Sequence, residues 1–361
     1  MNIIKVTKKI KLIPTKEQEH LIQNTMKEYI KTVNDLVATF VLNDEALKLT
    51  SKDVVANIPS ALKNQCIRDA KSVFNKYKKA VKTNLKKGKT TNVPILKREV
   101  AIYNNQNFKV KKDKIEFPVM INNKSKRLKV KALIPEDFIN SNLGTLRLSY
   151  INNKLIAQIT YEETEKSLNL TEHIMGVDLG IKVPAVAKTD NRVKFFGNGR
   201  KNKYLRRIAN SKRKELQKSK NIKKLKQIDN KEQRIMNDID HKISRQIVNF
   251  AKDNKVTLIK LETLSNIRQT TRTSRKNNKS LHNWSFYRLA MYIEYKAKLE
   301  GISVEYINPR YTSQICPNCG IKNKAKDRLY KCACGFKTHR DIVGAINIKK
   351  APILGGKSLI A

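Results

Sequence analysis

The stretch Arg310–Asp341, RYTSQICPNCGIKNKAKDRLYKCACGFKTHRD, holds four of the five cysteines of the chain. Cys316 and Cys319 form a C-x-x-C pair, and Cys332 and Cys334 form a C-x-C pair after twelve intervening residues. Two short turns of this kind bring four sulfurs to one point, and the glycines that follow let backbone N–H groups approach the thiolates. The spacing therefore predicts a structural Zn²⁺ site, with a disulfide or spare thiols as the alternative.

The composition indicates a polyanionic partner. Lys and Arg number 76 against 31 Asp and Glu in 361 residues, which gives a formal net charge of +45. Nucleic acid is the expected partner, because such a field neutralises phosphates and releases their counterions. A membrane surface is the alternative, but the sequence has no long apolar run and no lipidation motif.

The first residues, MNIIKVTKKIKLIP, alternate basic and apolar side chains and lack the pattern of a signal peptide. We therefore expect a protein of the reducing cytoplasm, where thiolates are free to hold zinc. The fifth cysteine, Cys66, lies on an apolar helical face in NQCIRDA. It is expected to be a small buried residue without chemistry.

The first part of the chain predicts a β structure that is interrupted by helices. Residues 2–13 alternate like a strand, and Thr15-Lys-Glu-Gln18 is a capping box that starts an amphipathic helix. Residues 15–95 read as a helical unit inserted after this one strand. The two-residue period returns from 101 to 165, which predicts a small antiparallel barrel or sandwich.

The next part predicts a sheet with acidic strand ends. IMGVDLGIKVPAVAKTD reads as two strands around a tight turn, with Asp178 at the end of the first, and the apolar strand VTLIKLE ends at Glu262. Between them, residues 200–226 hold thirteen Lys or Arg and a single Glu. A block this basic indicates a helix that lies against phosphates, with a disordered segment as the alternative.

Nucleic-acid contacts are expected from basic and aromatic side chains. Trp284, Tyr287 and Tyr311 are candidates for base stacking, although core packing is the favoured role of Trp284. The basic residues expected to contact nucleic acid are Arg200, Lys201, Lys203, Arg206, Arg207, Lys212 and Arg213.

Asp178, Glu262 and Asp341 are the candidate catalytic residues. A carboxylate at the end of a buried strand is costly to desolvate without a partner, and three at one sheet edge repel one another unless cations neutralise them. Hard oxygen ligands suit Mg²⁺. Two ions about 4 Å apart activate water and stabilise the departing 3′ oxygen, which is phosphodiester hydrolysis. The alternative for each acid is helix capping or pairing with a lysine.

Several motifs together resemble the RuvC-like nuclease domain, an RNase H-type fold, of the transposon-encoded TnpB proteins and their relatives, the type V CRISPR effectors. The motifs are GVDLG (176–180), KLE (260–262), SQICPNCG (313–320), CACG (332–335) and HRDIVGAINI (339–348). The resemblance extends over most of the chain, because TnpB proteins also begin with a strand followed by a P-T-x-x-Q helix, here Pro14-Thr15-Lys-Glu-Gln18.

The resemblance implies an α+β multidomain fold. Its parts are an RNase H-like (RuvC) α/β nuclease domain with an inserted zinc ribbon, and a small N-terminal β-barrel, the wedge, interrupted by a helical recognition domain. The implied boundaries are 1–14 and 96–170 for the wedge, 15–95 for the recognition domain, 171–311 and 336–361 for the nuclease domain, and 312–335 for the ribbon.

The same resemblance assigns the site residues. Asp178, Glu262 and Asp341 become the catalytic acids that hold two Mg²⁺, and Cys316, Cys319, Cys332 and Cys334 become the ligands of a structural Zn²⁺. These proteins commonly have D-R-D before the last acid, whereas this chain has His339-Arg340-Asp341. The substitution puts any auxiliary role of the earlier acid in doubt.

The implied activity is RNA-guided cleavage of DNA. A protein of this kind binds a guide RNA transcribed from the end of its own element and recognises a short motif beside the target. Pairing between that RNA and double-stranded target DNA then chooses the sequence. We expect a monomer with its RNA and no membrane. Two alternatives stay open: an RNA-independent transposase or junction resolvase, and a non-catalytic RNA- or DNA-binding regulator.

Overall fold

A computed structural model describes residues 3–135, 138, 142–164, 173–228, 230–264, 274, 278 and 281–352. The chain divides into two compact units. The N-terminal unit is Ile3–Thr164, and the C-terminal unit takes in the chain from Glu165 onward. No helix within the described ranges is long and apolar enough to cross a membrane.

The N-terminal unit consists of antiparallel strands and two long helices. Its elements are β1 (Ile3–Ile13), α1 (Lys16–Leu42), α2 (Ser60–Leu85), β2 (Val100–Tyr103), β3 (Lys109–Val110), β4 (Lys114–Ile121), β5 (Lys124–Ala132), β6 (Asn142–Ile151) and β7 (Lys154–Thr164). They form a seven-stranded sheet of order β2-β6-β7-β1-β5-β4-β3. β1 pairs with β7 as far as Lys11 and passes to β5 at Leu12, which curls the sheet.

Local signals in the sequence account for these elements. The predicted capping box of α1 is confirmed: the Thr15 hydroxyl accepts from the Gln18 N–H at 3.3 Å, and the Gln18 side chain accepts from the Thr15 N–H at 3.2 Å. The turns β4–β5 and β6–β7 each use a pair of asparagines, Asn122-Asn123 and Asn152-Asn153. All four have positive φ of 50–57°, which asparagine tolerates in tight hairpins.

The core of the N-terminal unit includes α1, α2 and one sheet face. Tyr29 of α1 and Cys66 of α2 are fully buried where the two helices pack. The Cys66 thiol donates to the Tyr29 carbonyl at 3.7 Å. The expectation that Cys66 is a buried residue is confirmed.

The C-terminal unit combines a mixed sheet with helices. Its elements are β8 (Ile174–Leu179), β9 (Ala185–Lys188), β10 (Val193–Phe196), α3 (Gly199–Lys218), α4 (Ile222–Ile228), α5 (Lys231–Asp253), β11 (Leu258–Glu262), α6 (Phe286–Leu299), β12 (Ser303–Ile307), β13 (Leu329–Lys331), β14 (Lys337–His339) and α7 (Arg340–Lys350). Five strands form a sheet of order β10-β9-β8-β11-β12, with β8, β11 and β12 parallel. The mixed α/β character predicted from the sequence is confirmed.

The parallel strands are apolar because helices cover them. Met175, Val177 and Leu261 are fully or almost fully buried, as expected for central strands of a mixed sheet. β8 and β11 run in the same direction, so their carboxyl ends meet at one edge of the sheet. Functional groups of α/β sheets commonly gather at this edge.

The prediction of one basic helix over residues 200–226 is wrong in extent. α3 ends at Lys218, and Lys220 adopts a positive φ of 50° before α4 begins. The Asn221 side chain accepts from the Lys224 N–H at 3.0 Å and so caps the second helix. Asn221 therefore starts a second helix, although the high density of basic residues continues across this position. Within α3, Gly199 is the one buried residue, so the remaining side chains are at least partly exposed.

Candidate active site

Two of the predicted acids lie at the ends of neighbouring parallel strands. Asp178 is the fifth residue of β8, and Glu262 is the last residue of β11. Val177 is paired with Leu261, so the two acids are the next residues on adjacent strands. The sheet register therefore brings together two carboxylates that are far apart in the sequence.

The third predicted acid comes from a helix that packs on this sheet. Asp341 is the second residue of α7 and is 8% exposed. Asp178, Glu262 and Asp341 line one cavity of 480 Å³. The structure thus brings the three predicted acids to one site, and their catalytic role remains a prediction.

Two glycines allow α7 to lie this close to β8. A Cβ on Gly176 would lie 2.1 Å from the Ala345 carbonyl oxygen of α7. A Cβ on Gly344 would lie 2.9 Å from Asp178 Oδ2. Both motifs that carry an acid, GVDLG and DIVGAINI, therefore also carry a glycine that the approach of helix to strand requires.

The site concentrates negative charge in a poorly solvated place. Burial raises the pKa of Asp178, and the charges of Glu262 and Asp341 raise it further, while Arg340 and Arg328 oppose this shift. Burial also raises the pKa of Glu262. Desolvation and mutual repulsion both disfavour the charged forms of these acids. Divalent cations would offset this negative charge, and Mg²⁺ is the cation that typically binds such hard oxygen ligands.

Arg328 is a member of the site that sequence reasoning missed. Its Nη1 lies 2.6 Å from Asp341 Oδ1 and 2.8 Å from Oδ2. The Arg328 carbonyl also accepts from the Arg340 N–H at 2.7 Å. Arg328 stands among many basic residues immediately before β13, and nothing in the local pattern distinguishes it from them. Its contact with Asp341 arises only because β13 and α7 are brought together.

Thr312 and Asn347 connect the cysteine-rich segment to the acids. The Thr312 hydroxyl donates to Glu262 Oε1. The Asn347 amide of α7 donates to the carbonyls of Thr312 and Ile315, at 2.7 Å each. Thr312 and Asn347 were also missed, although both stand inside quoted motifs or next to one.

His339, which occupies the position of the usual acid, caps α7. Its Nδ1 accepts from the backbone N–H of Asp341 at 3.2 Å, and its ring packs edge-to-face on Phe195 at 5.2 Å. Asp is also a good N-cap, so the histidine keeps a capping function that the usual residue can provide. This gives His339 a role that the sequence pattern alone left in doubt.

The four predicted zinc ligands form a compact sulfur cluster. Their sulfur atoms all lie within 4.8 Å of one another, with 3.6 Å between Cys316 and Cys334 and 3.5 Å between Cys319 and Cys332. A tetrahedral site with Zn–S bonds of about 2.3 Å has sulfur–sulfur edges of about 3.8 Å. The cysteines are not joined in disulfides. Their geometry therefore fits a closed structural Zn²⁺ site.

The electrostatics of this cluster differ from one thiol to the next: burial and the neighbouring cysteines raise the pKa of Cys319 to about 12. The Phe336 N–H and the Asn318 side chain lower the pKa of Cys334 to about 6. Among the residues that the structure describes, the cysteines are the group of potential ligands that meets this 4.8 Å spacing. The three acids are not among the groups that meet it.

The predicted nucleic-acid contacts separate into two groups on α3. Four of them line a second cavity, of 610 Å³, together with Lys214, which was not predicted; they are Arg200, Lys203, Arg206 and Arg207. The other three, Lys201, Lys212 and Arg213, do not line it. Trp284 packs partly against the core, as favoured above, and also borders both cavities.

The sequence matches a known family model and several curated proteins. Residues 286–348 match the model of the Cas12f1-like TNB domain. The TnpB-like protein MJ0751 of Methanocaldococcus jannaschii is 35% identical over 192 residues, which is 50% of this chain and 69% of that protein. The chain belongs to the TnpB family. The resemblance drawn from the motifs is confirmed.

Relatives of this TnpB-family chain include named nucleases. The CRISPR-associated endodeoxyribonuclease Cas12f1 of Sulfoacidibacillus thermotolerans is 34% identical over 217 residues, which is 54% of this chain and 50% of that protein. This match thus spans about half the length of that Cas12f1 protein.

The fold also resembles a solved structure. The Cas12f1 chain in a cryo-EM structure of a Cas12f1–sgRNA–target DNA complex superimposes with a TM-score of 0.67. The superposition covers 93% of this chain and 83% of that one at 15% sequence identity. At this identity the likeness concerns the fold.

Proposed function

We propose that this TnpB-family protein is an RNA-guided DNA endonuclease of a transposable element. The observation that carries the proposal is the convergence of Asp178, Glu262 and Asp341 on one cavity beside a cluster of four cysteines. The proposal includes the RuvC-like nature of the nuclease domain and the domain boundaries and site residues predicted from the sequence. The endodeoxyribonuclease relatives support the general kind of activity.

The three acids would hold two Mg²⁺. Bound there, the ions would supply an activated water and stabilise the leaving 3′ oxygen. The chain contributes the arrangement: β8 and β11 hold two acids side by side, α7 presents the third, and Thr312 orients Glu262 through a hydrogen bond. Arg328 and Arg340 add positive charge beside the acids, where a phosphodiester would also be attracted.

The ribbon would hold one Zn²⁺ in a structural role. Four thiolates complete a tetrahedral shell and leave no position for water or substrate. Thr312 lies at the start of this segment and Arg328 inside it, and each contacts one of the acids. Zinc would therefore stabilise the segment that orients Glu262 and Asp341.

The partners would be a guide RNA from the element's own end and a double-stranded DNA target beside a short motif. The net charge of +45 supports this, because a guide RNA with its heteroduplex presents far more phosphate than a short DNA duplex. We propose a cytoplasmic, nucleoid-associated monomer with its RNA.

The proposal is tested by purifying the protein expressed with its native flanking sequence and sequencing the RNA that copurifies. We expect a uniform RNA that maps to the end of the element. The purified complex should cleave DNA that matches the guide only when Mg²⁺ is added. Random RNA fragments and no guided cleavage would contradict the proposal.

The same assay separates the two alternatives. Cleavage by RNA-free protein would favour the transposase or resolvase. If neither the wild type nor Asp178→Ala cleaved the target and the cellular function was the same in both, the protein would instead be a binding regulator, since its acids would have no catalytic role.

A further inference from the structure

The loop that leads from β12 into the cysteine-rich segment contains a strained tyrosine. Tyr311 has a positive φ of 63°, a backbone conformation that bulky side chains rarely adopt and that costs conformational energy. Its carbonyl accepts from the N–H groups of Gln314 at 2.9 Å and of Ile315 at 3.1 Å, so the chain turns directly after this residue. Other contacts of the folded protein must therefore stabilise this conformation.

This turn places the next residue, Thr312, at the candidate active site. The Thr312 hydroxyl donates to Glu262 Oε1, and the Thr312 carbonyl accepts from the Asn347 amide at 2.7 Å. Thr312 and Glu262 both line the 480 Å³ cavity of the three acids, and Tyr311 is not among the residues that line it. The backbone of Tyr311 thus influences the position of a hydroxyl in the site although its own side chain lies outside.

Two cations hold the ring of Tyr311. Lys322 Nζ lies 3.6 Å from the centre of the ring, and the guanidinium carbon of Arg310 lies 5.1 Å from it. A cation within about 6 Å of the centre of an aromatic ring is attracted by its π electrons. The Arg310 and Lys322 side chains also lower the pKa of the Tyr311 hydroxyl. The ring therefore has a contact within the chain, which differs from the base stacking predicted from the sequence.

Lys322 is held in place by the backbone around the first cysteine pair. The Cys316 N–H donates to the Ile321 carbonyl at 3.0 Å. The Asn323 N–H donates to the Gln314 carbonyl at 2.8 Å, and Lys322 lies between these two hydrogen bonds. A zinc ion that orders the cysteine pair would thereby also order Lys322.

We propose that Tyr311 is a positioning residue for the nuclease reaction: Lys322 clamps its ring, and its backbone directs Thr312 to Glu262. A carboxylate whose one oxygen accepts a hydrogen bond is held in a single orientation, which favours binding of a metal ion by the other oxygen. Loss of the clamp should therefore weaken metal binding and slow the chemical step, with little effect on binding of DNA. This inference rests on the proposed function, since it explains how one of the proposed metal ligands is oriented.

The first test measures metal binding without guide or substrate. The melting temperature of the full-length RNA-free protein is recorded at increasing Mg²⁺, because an ion that binds only the folded state stabilises it according to its affinity. Asp178→Ala, which removes one acid, gives the background. We expect Lys322→Met to weaken the apparent affinity for Mg²⁺ by about two- to fivefold, the effect of an exposed cation–π contact.

A matched control and a conservative variant accompany it. Lys324 is an exposed lysine two positions further on, and we expect Lys324→Met to change the Mg²⁺ affinity by less than about twofold. Tyr311→Phe keeps the ring and should also stay within about twofold, whereas Tyr311→Leu should weaken binding at least as much as Lys322→Met. Zinc content equal to that of the wild type shows in each variant that the cysteine cluster is intact.

A double-mutant cycle isolates the contact between the two side chains. Tyr311→Leu combined with Lys322→Met should weaken Mg²⁺ binding no more than Tyr311→Leu alone, because both substitutions remove the same interaction. In guided cleavage at submaximal Mg²⁺, Lys322→Met should lower kcat and leave the KM for DNA within about twofold of the wild type.

Three outcomes would overturn the proposal. Equal effects of Lys322→Met and Lys324→Met would mean that only general charge matters, and additive effects in the cycle would mean that the two side chains act separately. A raised KM with unchanged kcat would show that Tyr311 contacts the DNA instead. Guided cleavage by the wild-type complex tests the proposed function separately. Cleavage without the expected pattern of Mg²⁺ affinities removes only this inference, and that pattern without cleavage under any guide removes only the proposed function.

Discussion

For Asp178, the proposed catalytic role and the stability of the metal-free protein are in conflict. It lies on the central strand of the sheet, faces two other carboxylates, and its pKa is raised by burial and by their charges. Without cations the folded protein must therefore tolerate this repulsion. A neutral side chain at this position is therefore expected to be more stable in the absence of cations.

Replacing Asp178 by Asn should expose this conflict. In metal-free protein we expect a higher melting temperature than in the wild type, because a neutral amide of the same shape removes the repulsion. For a unit of this size each kcal/mol corresponds to about 2–4 °C. Cleavage should be lost. The measurement is calorimetry without Mg²⁺ beside a cleavage assay with it, and a melting temperature below that of the wild type would contradict the argument.

His339 positions Asp341 through the cap of α7. His339→Ala should cost about 1 kcal/mol of cap energy and lower kcat more than KM, because Asp341 loses the acceptor that holds its backbone N–H. His339→Asp, which can cap and restores the usual family residue, should retain most of the rate. The measurement is steady-state cleavage by all three proteins. Equal losses in the Ala and Asp variants would show that the imidazole itself, rather than the cap, is needed.

At the scale of elements, the cysteine-rich segment and α7 act as one support for the acids. Asn347 ties α7 to the carbonyls of Thr312 and Ile315, and a small core joins Cys316 and Tyr330 of this segment to Val343 of α7. This core is very small, so a metal would supply much of the stability of the cysteine-rich segment.

Removing zinc should therefore abolish cleavage through loss of acid positioning. We expect Cys334→Ser, or chelation of zinc, to eliminate cleavage, and added Mg²⁺ alone to leave the chelated protein inactive while zinc restores it. Cys66→Ala is the matched control, since this cysteine is buried in the N-terminal unit and should leave cleavage unchanged. The measurements are zinc content and cleavage rate. Full activity of a zinc-free protein would refute the coupling.

The pair of helices α5 and α6 contains a buried lysine. The Lys296 ammonium is 4% exposed and donates to the His241 carbonyl and to Ser244 Oγ, at 2.6 Å each. Burial lowers its pKa to about 8. In the unfolded chain a lysine keeps its proton up to about pH 10.4. Between these values the unfolded state binds more protons, so this residue's contribution to the free energy of unfolding rises with pH.

Comparison with Lys296→Met tests this sign. The wild type should gain stability relative to the variant as the pH is raised from about 7 to about 9.5, and the difference should be constant below about pH 7. The measurement is the melting temperature of both proteins across that range. A difference that does not change with pH would mean that Lys296 titrates alike in the folded and unfolded states.

At the scale of the whole molecule, net charge dominates the interaction with nucleic acid. A chain with a charge of +45 releases counterions from any polyanion that it binds, whatever the sequence of that polyanion. In the proposed function, specificity would come from pairing with the guide and from shape, because phosphate contacts carry no sequence information.

Binding of RNA should accordingly depend steeply on salt. For six to ten phosphate contacts we expect the affinity to fall by about 10³ to 10⁵ between roughly 50 and 200 mM salt. Titrations at several salt concentrations measure the slope. Lys218→Ala should reduce the slope by no more than one contact. An affinity independent of salt would contradict binding through phosphates.

Much of the fold follows from local patterns. Alternation located β1, the capping box started α1, and apolar runs located β8 and β11, because side-chain period and cap chemistry depend on neighbours along the chain. The break at Lys220 was missed, since a lysine with positive φ carries no signal of the kind that glycine gives.

The candidate site likewise combines features that the sequence predicted with contacts that only the structure revealed. The cysteine spacing and the acids at strand ends were readable, because a metal ligand set requires particular residue types at particular distances along the chain. The contacts of Arg328 with Asp341 and of Thr312 with Glu262 join residues 13 and 50 positions apart, and no local period encodes them. The packing of α7 on the sheet and its contacts with the cysteine-rich segment selected one arginine and one threonine among many similar residues. The residue types of the candidate site could thus be predicted from the sequence. Their hydrogen-bond and ion-pair partners could not, because these depend on the directions in which side chains point once the elements have packed.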